Sequence, residues 1–191
     1  MAEQMSWRRI AKRIRVPMGF IFAGVFLWLA RPTLPTLLIS LLLVAPGLAT
    51  RAYASGYVRK NSELTSSGPY AYTRNPLYLG SMLIAFGFGA AAGNWMLLSL
   101  LVALFTAIYI PTILGEEEYL RAHFIGFDDY AARVPRLIPR MTPAPNAAAS
   151  GTFSRTLYLQ HREYNSLMGA GAIYLALALK LVWHLHRFPI G

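Results

Sequence analysis

The 191-residue chain contains no cysteine, and only 14% of its residues are charged. The absence of cysteine excludes disulfides, thiolate metal sites and a cysteine nucleophile. A soluble domain of this length normally carries about a quarter charged residues, whereas 55% of the residues here are hydrophobic. Because these residues are grouped in long blocks, the composition indicates an all-α integral membrane protein.

Apolar blocks that could cross a bilayer occur at five places. They are Val16–Ala30, Leu34–Thr50, Leu77–Ala92, Trp95–Leu114 and Ser166–Trp183. An upright crossing needs about 20 residues, so the first two blocks are short and could be tilted or partly interfacial. The pattern predicts a polytopic bundle of about five transmembrane helices.

The charged residues predict how this bundle is oriented. Fifteen of the 18 basic residues lie before the first block, between the second and third, or between the fourth and fifth, and all eight acidic residues lie on the same side. Basic loops stay in the cytoplasm, so we expect a cytoplasmic N-terminus and polar chemistry that faces the cytoplasm. The net charge of +10 is then a topology signal rather than a sign of nucleic-acid binding. The compact chain without organelle signals favours a bacterial inner membrane.

One segment has the composition of a linker. Thr142–Thr152 is rich in proline, alanine and serine. The sequence therefore predicts a membrane core at residues 1–140, a linker at 141–155 and an additional C-terminal transmembrane helix at 156–191. That last helix could be a peripheral addition to the core.

A rigid turn precedes the third apolar block. Within Glu63–Gly80, a segment that we call the hinge, Pro69 fixes its own φ, and Pro76 restricts Asn75 to extended geometry and suits the first turn of a helix. We therefore expect the hinge to place Arg74 and its neighbours at the membrane boundary, where the next helix begins. Free amides at a helix start favour an anionic group such as a carboxylate. Taken alone, Arg74 could equally be an anchor of the positive-inside kind among interfacial tyrosines.

Three carboxylates, Glu116–Glu118, follow directly on the fourth apolar block. At the C-terminal end of a helix such carboxylates oppose the dipole and repel one another. We predict Arg74 as the compensating partner, because it ends its own segment on the same membrane face. A solvated acidic helix end is the alternative.

Three motifs in this order resemble a known enzyme family. They are "SGPYAYTRNPLYLG", then "EEEYL" one helical hairpin later, then "YAARVPRLIP". From about Gly56 to Pro139 the chain resembles the isoprenylcysteine carboxyl methyltransferase family of integral membrane enzymes. Asn75 stands where those enzymes usually have histidine, and in this the chain is similar to the related phospholipid methyltransferase branch. Asparagine does not titrate near pH 7, so any acid–base role of that histidine is lost here.

The resemblance implies methyl transfer from S-adenosylmethionine at the cytoplasmic membrane face, without a metal. Carried over by position, it makes Arg74 and Glu117 the candidate catalytic residues. It also implies a cofactor pocket whose candidate residues are Tyr70, Arg74, Asn75, Pro76, Tyr78, Leu79, Gly80, Glu116 and Glu117. The C-terminal helix lies beyond the family pattern.

Several functions stay open at this stage. The expected partners are membrane lipids and a lipophilic or lipid methyl acceptor, which could be a prenylated cysteine carboxylate, a phospholipid amine, or a small thiol or phenol. The alternatives are an NADPH-dependent membrane reductase of sterol-reductase type and a non-catalytic membrane scaffold. In the scaffold, Arg74 and the glutamates would merely clamp helices together. The sequence favours no particular oligomeric state.

Overall fold

The computed structural model of the chain describes residues 22–59, 63–145 and 151–187. The regular structure in these ranges is helical, and none of the described residues forms a β-strand. Helix α1 occupies residues 22–29, and a short 3-10 helix lies at Gly68–Ala71. The other helices are α2 (Leu34–Ser55), α3 (Pro76–Ala91), α4 (Trp95–His123), α5 (Phe127–Arg133), α6 (Arg155–Gln160) and α7 (Tyr164–Arg187).

The fold is a membrane helix bundle, as the composition predicted. Three helices are long and apolar enough to cross a membrane, namely Leu34–Ser55, Trp95–His123 and Tyr164–His186. The predicted third span is the shorter apolar helix α3 of 16 residues, and part of the predicted first span lies outside the described residues. Many large apolar side chains on the outer faces of the long helices are exposed, as lipid contact requires. Examples are Leu38, Leu42, Ile108, Leu175 and Leu179.

Local sequence signals fix where two of the long helices begin. At the start of α2 a capping box forms, because the Thr33 hydroxyl accepts from the Thr36 amide and the Thr36 hydroxyl accepts from the Thr33 amide. At the start of α4 the Asn94 side chain accepts from the amides of Met96 and Leu97. These caps satisfy amides that would otherwise lack partners at the helix ends.

Glycines allow α2 and α3 to pack with their backbones in close approach. A Cβ atom on Gly80 would lie 2.7 Å from the carbonyl oxygen of Gly47, and one on Gly47 would lie 2.8 Å from the carbonyl oxygen of Gly80. Farther along, a Cβ atom on Gly87 would meet the Val44 side chain at 2.5 Å. This contact brings the C-terminal half of α2 beside the first turn of α3.

Aromatic contacts attach the other two long helices to this pair. Helix α4 packs on α3 through Phe86 and Phe105, whose ring centroids lie 5.8 Å apart. Helix α7 packs on α2 and α3 through Tyr174, whose hydroxyl lies 2.7 Å from Ser40 Oγ and whose ring lies 5.1 Å from that of Phe88. These aromatic contacts hold α4 and α7 against the α2–α3 pair.

Helix α4 extends farther than the apolar block that predicted it. The block ends at Leu114, but the helix continues to His123, because Glu, Leu, Arg and Ala are good helix formers. Glu116–Glu118 therefore lie inside the helix, and the expected conflict with the dipole at its C-terminal end does not arise. The carboxylates instead project from two extra turns of helix.

Candidate functional site

A cavity of about 500 Å³ lies where the hinge, α4, the end of α2 and the α6–α7 turn meet. Of the residues predicted for the pocket, seven line this cavity and two do not. The seven are Tyr70, Arg74, Asn75, Pro76, Tyr78, Glu116 and Glu117. Leu79 and Gly80 lie outside its lining, and Gly80 faces Gly47 and Arg51 of α2.

Glu117 is the most enclosed carboxylate of the cavity, with 4% of the residue exposed. Its Oε1 lies 3.3 Å from Arg74 Nε and accepts a hydrogen bond of 3.2 Å from Asn75 Nδ2. Its Oε2 lies 3.0 Å from both Nε and Nη2 of Arg136. A buried carboxylate is tolerated only when it is paired in this way. Arg74, the predicted partner, thus compensates Glu117 among the three glutamates, and Arg136 is a second cation.

The Arg74 side chain keeps donor capacity after this contact. Its Nε is buried and close to Glu117, but it lies outside hydrogen-bond geometry. Among the described residues, no hydrogen-bond acceptor engages the rest of its guanidinium. Because Arg74 lines the cavity, its charge can serve an anionic group of a bound molecule.

The segment after α5 holds the hinge in place. The Tyr130 hydroxyl donates to the backbone oxygen of Tyr70 at 2.8 Å, and the Thr73 hydroxyl donates to backbone oxygens of Arg136 and Leu137. Asn75 Nδ2 also donates to the Arg136 oxygen at 3.0 Å. The "VPRLIP" stretch therefore acts largely through its backbone, and Arg136 adds a side chain whose role the sequence analysis did not foresee.

Tyrosines form the wall between the hinge and α4. The Tyr78 hydroxyl donates to Glu116 Oε2 at 2.8 Å, and the Tyr78 ring meets the Tyr109 ring edge-on with centroids 5.6 Å apart. Tyr109 in turn stacks on Phe105. Glu116 thus lies beside an aromatic cluster formed by Tyr78, Tyr109 and Phe105.

Two buried tyrosines beside the cavity, Tyr70 and Tyr130, remain neutral phenols. Burial raises the pKa of Tyr70 well above its ordinary value, and neighbouring Tyr130 and Glu116 add to this effect. Burial also raises the pKa of Tyr130, although the positive charge of Arg74 opposes the shift. Both hydroxyls therefore keep their protons at physiological pH.

Arg51 and Glu163 line the cavity as well, although the sequence analysis assigned neither to the site. Arg51 counted there as a positive-inside charge, and Glu163 lies in the predicted additional helix. In the structure they form an ion pair with a distance of 2.7 Å between Arg51 Nη2 and Glu163 Oε1. No local motif marks either residue, since the pairing depends on the path of the chain between them.

Comparison with known proteins identifies the class of the central region. Residues 45–125 match the family model described as phospholipid methyltransferase. This match confirms the resemblance inferred from the motifs: the region is similar to that family of membrane methyltransferases. It includes the C-terminal half of α2, the hinge, α3 and α4, and hence Arg51, Arg74, Asn75, Glu116 and Glu117.

Two relatives are named for metal resistance. The nickel-cobalt-cadmium resistance protein NccN of Alcaligenes xylosoxydans xylosoxydans is 38% identical over 47% of this chain and 41% of its own length. The cobalt-zinc-cadmium resistance protein CzcN of Cupriavidus metallidurans is 32% identical over 67% of this chain and 62% of its own length. The chain therefore spans less than two thirds of either relative. No solved structure matches the chain.

Proposed function

We propose that the protein is an S-adenosylmethionine-dependent methyltransferase that methylates a lipophilic or lipid acceptor at the cytoplasmic membrane face. The observation that carries this proposal is the cavity in which Arg74 and Glu117, from distant parts of the chain, meet. Its volume of about 500 Å³ lies within the range of about 300–1,000 Å³ that is typical of small-molecule pockets. The match of residues 45–125 to a methyltransferase family supports the same activity.

The polar groups of the cavity suit both charges of an amino-acid moiety. The guanidinium of Arg74 has donors for a carboxylate. Glu116 has one oxygen bonded to Tyr78, so its Oε1 can accept from an ammonium group or a ribose hydroxyl. Glu117 holds Arg74 and Asn75 in position. The catalytic roles predicted for Arg74 and Glu117, and the cofactor contacts of their neighbours, stay predictions.

The chemistry asks little of the protein in acid–base terms. S-adenosylmethionine, when bound, supplies a methyl group on a sulfonium whose departing thioether is neutral. The residues of the chain therefore have to orient the reactants and exclude water. The rings of Tyr70 and Tyr78 line the cavity and can contact adenine or a cationic centre, a contact worth roughly 0.5–2 kcal/mol.

Calorimetry in detergent distinguishes this function from the two alternatives. Methyltransferase function predicts binding of S-adenosylmethionine, reductase function predicts binding of NADPH alone, and a scaffold predicts binding of neither. Glu117→Gln removes the charge that holds Arg74, and Arg74→Ala removes the proposed carboxylate site. We expect each change to raise the dissociation constant for S-adenosylmethionine by at least about tenfold, since a hydrogen bond to a charged group contributes about 1.5–3 kcal/mol.

Asp128→Asn is the matched control for these variants. It removes an exposed ion pair with Arg121 that does not line the cavity, and we expect it to leave binding unchanged. Wild-type affinity in both Glu117→Gln and Arg74→Ala would show that the site is assigned to the wrong residues.

The names of the two relatives favour a cellular role in metal resistance for this chain too. The residues that the structure describes contain no cluster of three or more His, Asp or Glu side chains that could hold a metal ion. A complementation experiment tests this role. A deletion strain that carries the wild-type gene or the Glu117→Gln gene on a plasmid is grown on cobalt, zinc or cadmium. Growth with wild type but not with Glu117→Gln would show that resistance depends on the cavity, and equal growth with both would show that it does not.

A further inference from the structure

We propose that the Arg51–Glu163 ion pair is a positioning device, through which the α6–α7 turn (residues 161–163) holds the first turn of α3 in its binding geometry. This inference rests on the proposed function. The family match at residues 45–125 does not include the C-terminal part of the chain. This inference gives that part a role in the site.

The pair is built as a strong, enclosed contact. Arg51 Nη2 and Nε donate to the two oxygens of Glu163 at 2.7 and 3.1 Å, which is the bidentate geometry of arginine and a carboxylate. The side chains are only 23% and 10% exposed. Ser166 donates a further hydrogen bond to Glu163 Oε2 at 3.0 Å, so the carboxylate is fixed from its own helix as well.

Arg51 transmits this contact to α3. Its Nη1 donates to Ser81 Oγ at 2.5 Å and to the Leu77 oxygen at 3.4 Å, and Ser81 Oγ donates to the same oxygen at 2.9 Å. Leu77 lies in the first turn of α3, directly after Arg74, Asn75 and Pro76. The Arg51 stem also passes Gly80, where an added Cβ would lie 2.6 Å from Arg51 Cγ. The guanidinium thus joins three elements at the cavity wall.

The α6–α7 turn has a second attachment to α2. His161 Nδ1 lies 3.0 Å from the Ser55 backbone oxygen. Between His161 and Glu163, Arg162 adopts a φ of +53°, which is uncommon for a residue other than glycine and is held here by contacts on both sides. Without Glu163, this turn would keep the histidine contact to α2, and Arg51 would lose the partner that orients it toward Leu77 and Ser81.

The test combines a measurement that needs no ligand with one that does. Hydrogen–deuterium exchange of the full chain in detergent reports on residues 74–81, and calorimetry reports on S-adenosylmethionine binding. We expect Glu163→Gln to raise exchange in residues 74–81 and to raise the dissociation constant by about tenfold, which is less than the roughly hundredfold loss that a displacement of about 1 Å can cause. Asp128→Asn, which opens an exposed ion pair elsewhere, should change neither.

A double variant guards against misfolding of the single one. Arg51→Met with Glu163→Leu leaves no unpaired buried charge, so it avoids the penalty of removing one partner. It still lacks the hydrogen bonds to Leu77 and Ser81. We expect it to reproduce the faster exchange and weaker binding of Glu163→Gln, without an additional loss beyond that of the single variant.

The possible outcomes separate this inference from the proposed function. Unchanged exchange in both variants overturns the positioning role, and if affinity nevertheless falls, Glu163 contacts the ligand directly. Faster exchange in a protein whose wild type does not bind S-adenosylmethionine supports the positioning role while the proposed function fails. Faster exchange with unchanged affinity overturns the link to binding.

Discussion

At the scale of single residues, the cavity depends on how Glu117 is surrounded. Its two oxygens are shared among Arg74, Asn75 and Arg136, so the carboxylate organises groups from the hinge and from the segment after α5. Asn75 begins α3 without capping it, because its side-chain amide donates to Glu117 and to the Arg136 oxygen instead. A residue in the usual place of a helix cap has become part of the site.

Asn75→His should make ligand binding depend on pH. A doubly protonated imidazole, whose ordinary pKa is about 6.5, could replace both donor contacts of the asparagine amide. The Glu117 carboxylate raises the pKa of such an imidazole, whereas burial and the guanidiniums of Arg74 and Arg136 lower it. Because only the protonated ring makes both contacts, affinity should be lost as pH rises through the imidazole pKa. We expect S-adenosylmethionine to bind the variant about tenfold more weakly at pH 9 than at pH 6, the size of effect of one hydrogen bond to a charged group.

Calorimetry across this pH range provides the check. Wild type and Asn75→Ala serve as controls, because neither has a group at position 75 that titrates. A pH profile of Asn75→His parallel to that of Asn75→Ala would contradict the proposed role of the Asn75 donors.

At the scale of helices, the contact of α2 with α3 positions the hinge. The sequence placed Gly80 among the cofactor residues through the family motif, whereas the structure places it against Gly47 and Arg51. Its lack of a side chain lets the two backbones approach, which is the usual role of glycine between membrane helices. The motif therefore includes Gly80 as a helix-packing residue that does not line the cavity.

Gly80→Ala should destabilise the bundle by about 1–3 kcal/mol, the usual cost of overpacking a close contact. The added methyl would lie 2.7 Å from the Gly47 backbone oxygen, which cannot move without shifting α2. Gly115→Ala is the matched control, since a Cβ there meets nothing within 4 Å and alanine favours helix by up to about 1 kcal/mol. Thermal unfolding in detergent should show a lower Tm for the first variant and an equal or higher Tm for the second.

The division of the chain into core, linker and additional helix stays a prediction at this scale, but the contacts bear on how it is understood. Phe153, within the predicted linker, packs on Gly56 and stacks on Tyr53 at the end of α2. Glu163 reaches the cavity from the C-terminal part. We propose that this part acts together with the core.

At the scale of the whole molecule, the distribution of charge predicts an orientation in the membrane. We propose that the cavity faces the cytoplasm and that the chain lies in a bacterial inner membrane, in line with the bacterial sources of both relatives. The cavity residues lie near the basic segments that the positive-inside rule assigns to the cytoplasm. A lipid acceptor and a water-soluble cofactor would then meet at this boundary.

The absence of cysteine allows this orientation to be measured directly. A single cysteine at Met141, which is 97% exposed, should react with a membrane-impermeant maleimide in inverted vesicles and remain unlabelled in intact spheroplasts. A cysteine at Trp95, at the other end of α4 and also exposed, should show the reverse pattern. Labelling of Met141→Cys from outside would invert the proposed topology.

The sequence by itself determined the helical membrane architecture and the hinge, and it predicted Arg74 as the partner of the acidic segment. These follow from long apolar blocks, from prolines that restrict the backbone, and from charges that need compensation, all of which are written locally in the chain. Only the tertiary structure decided that Glu117 rather than its neighbours is buried, that Arg136 shares it, and that Arg51 and Glu163 meet. Such contacts depend on how the helices pack and on the path of the chain between them. Local sequence patterns predict neither the packing nor the path.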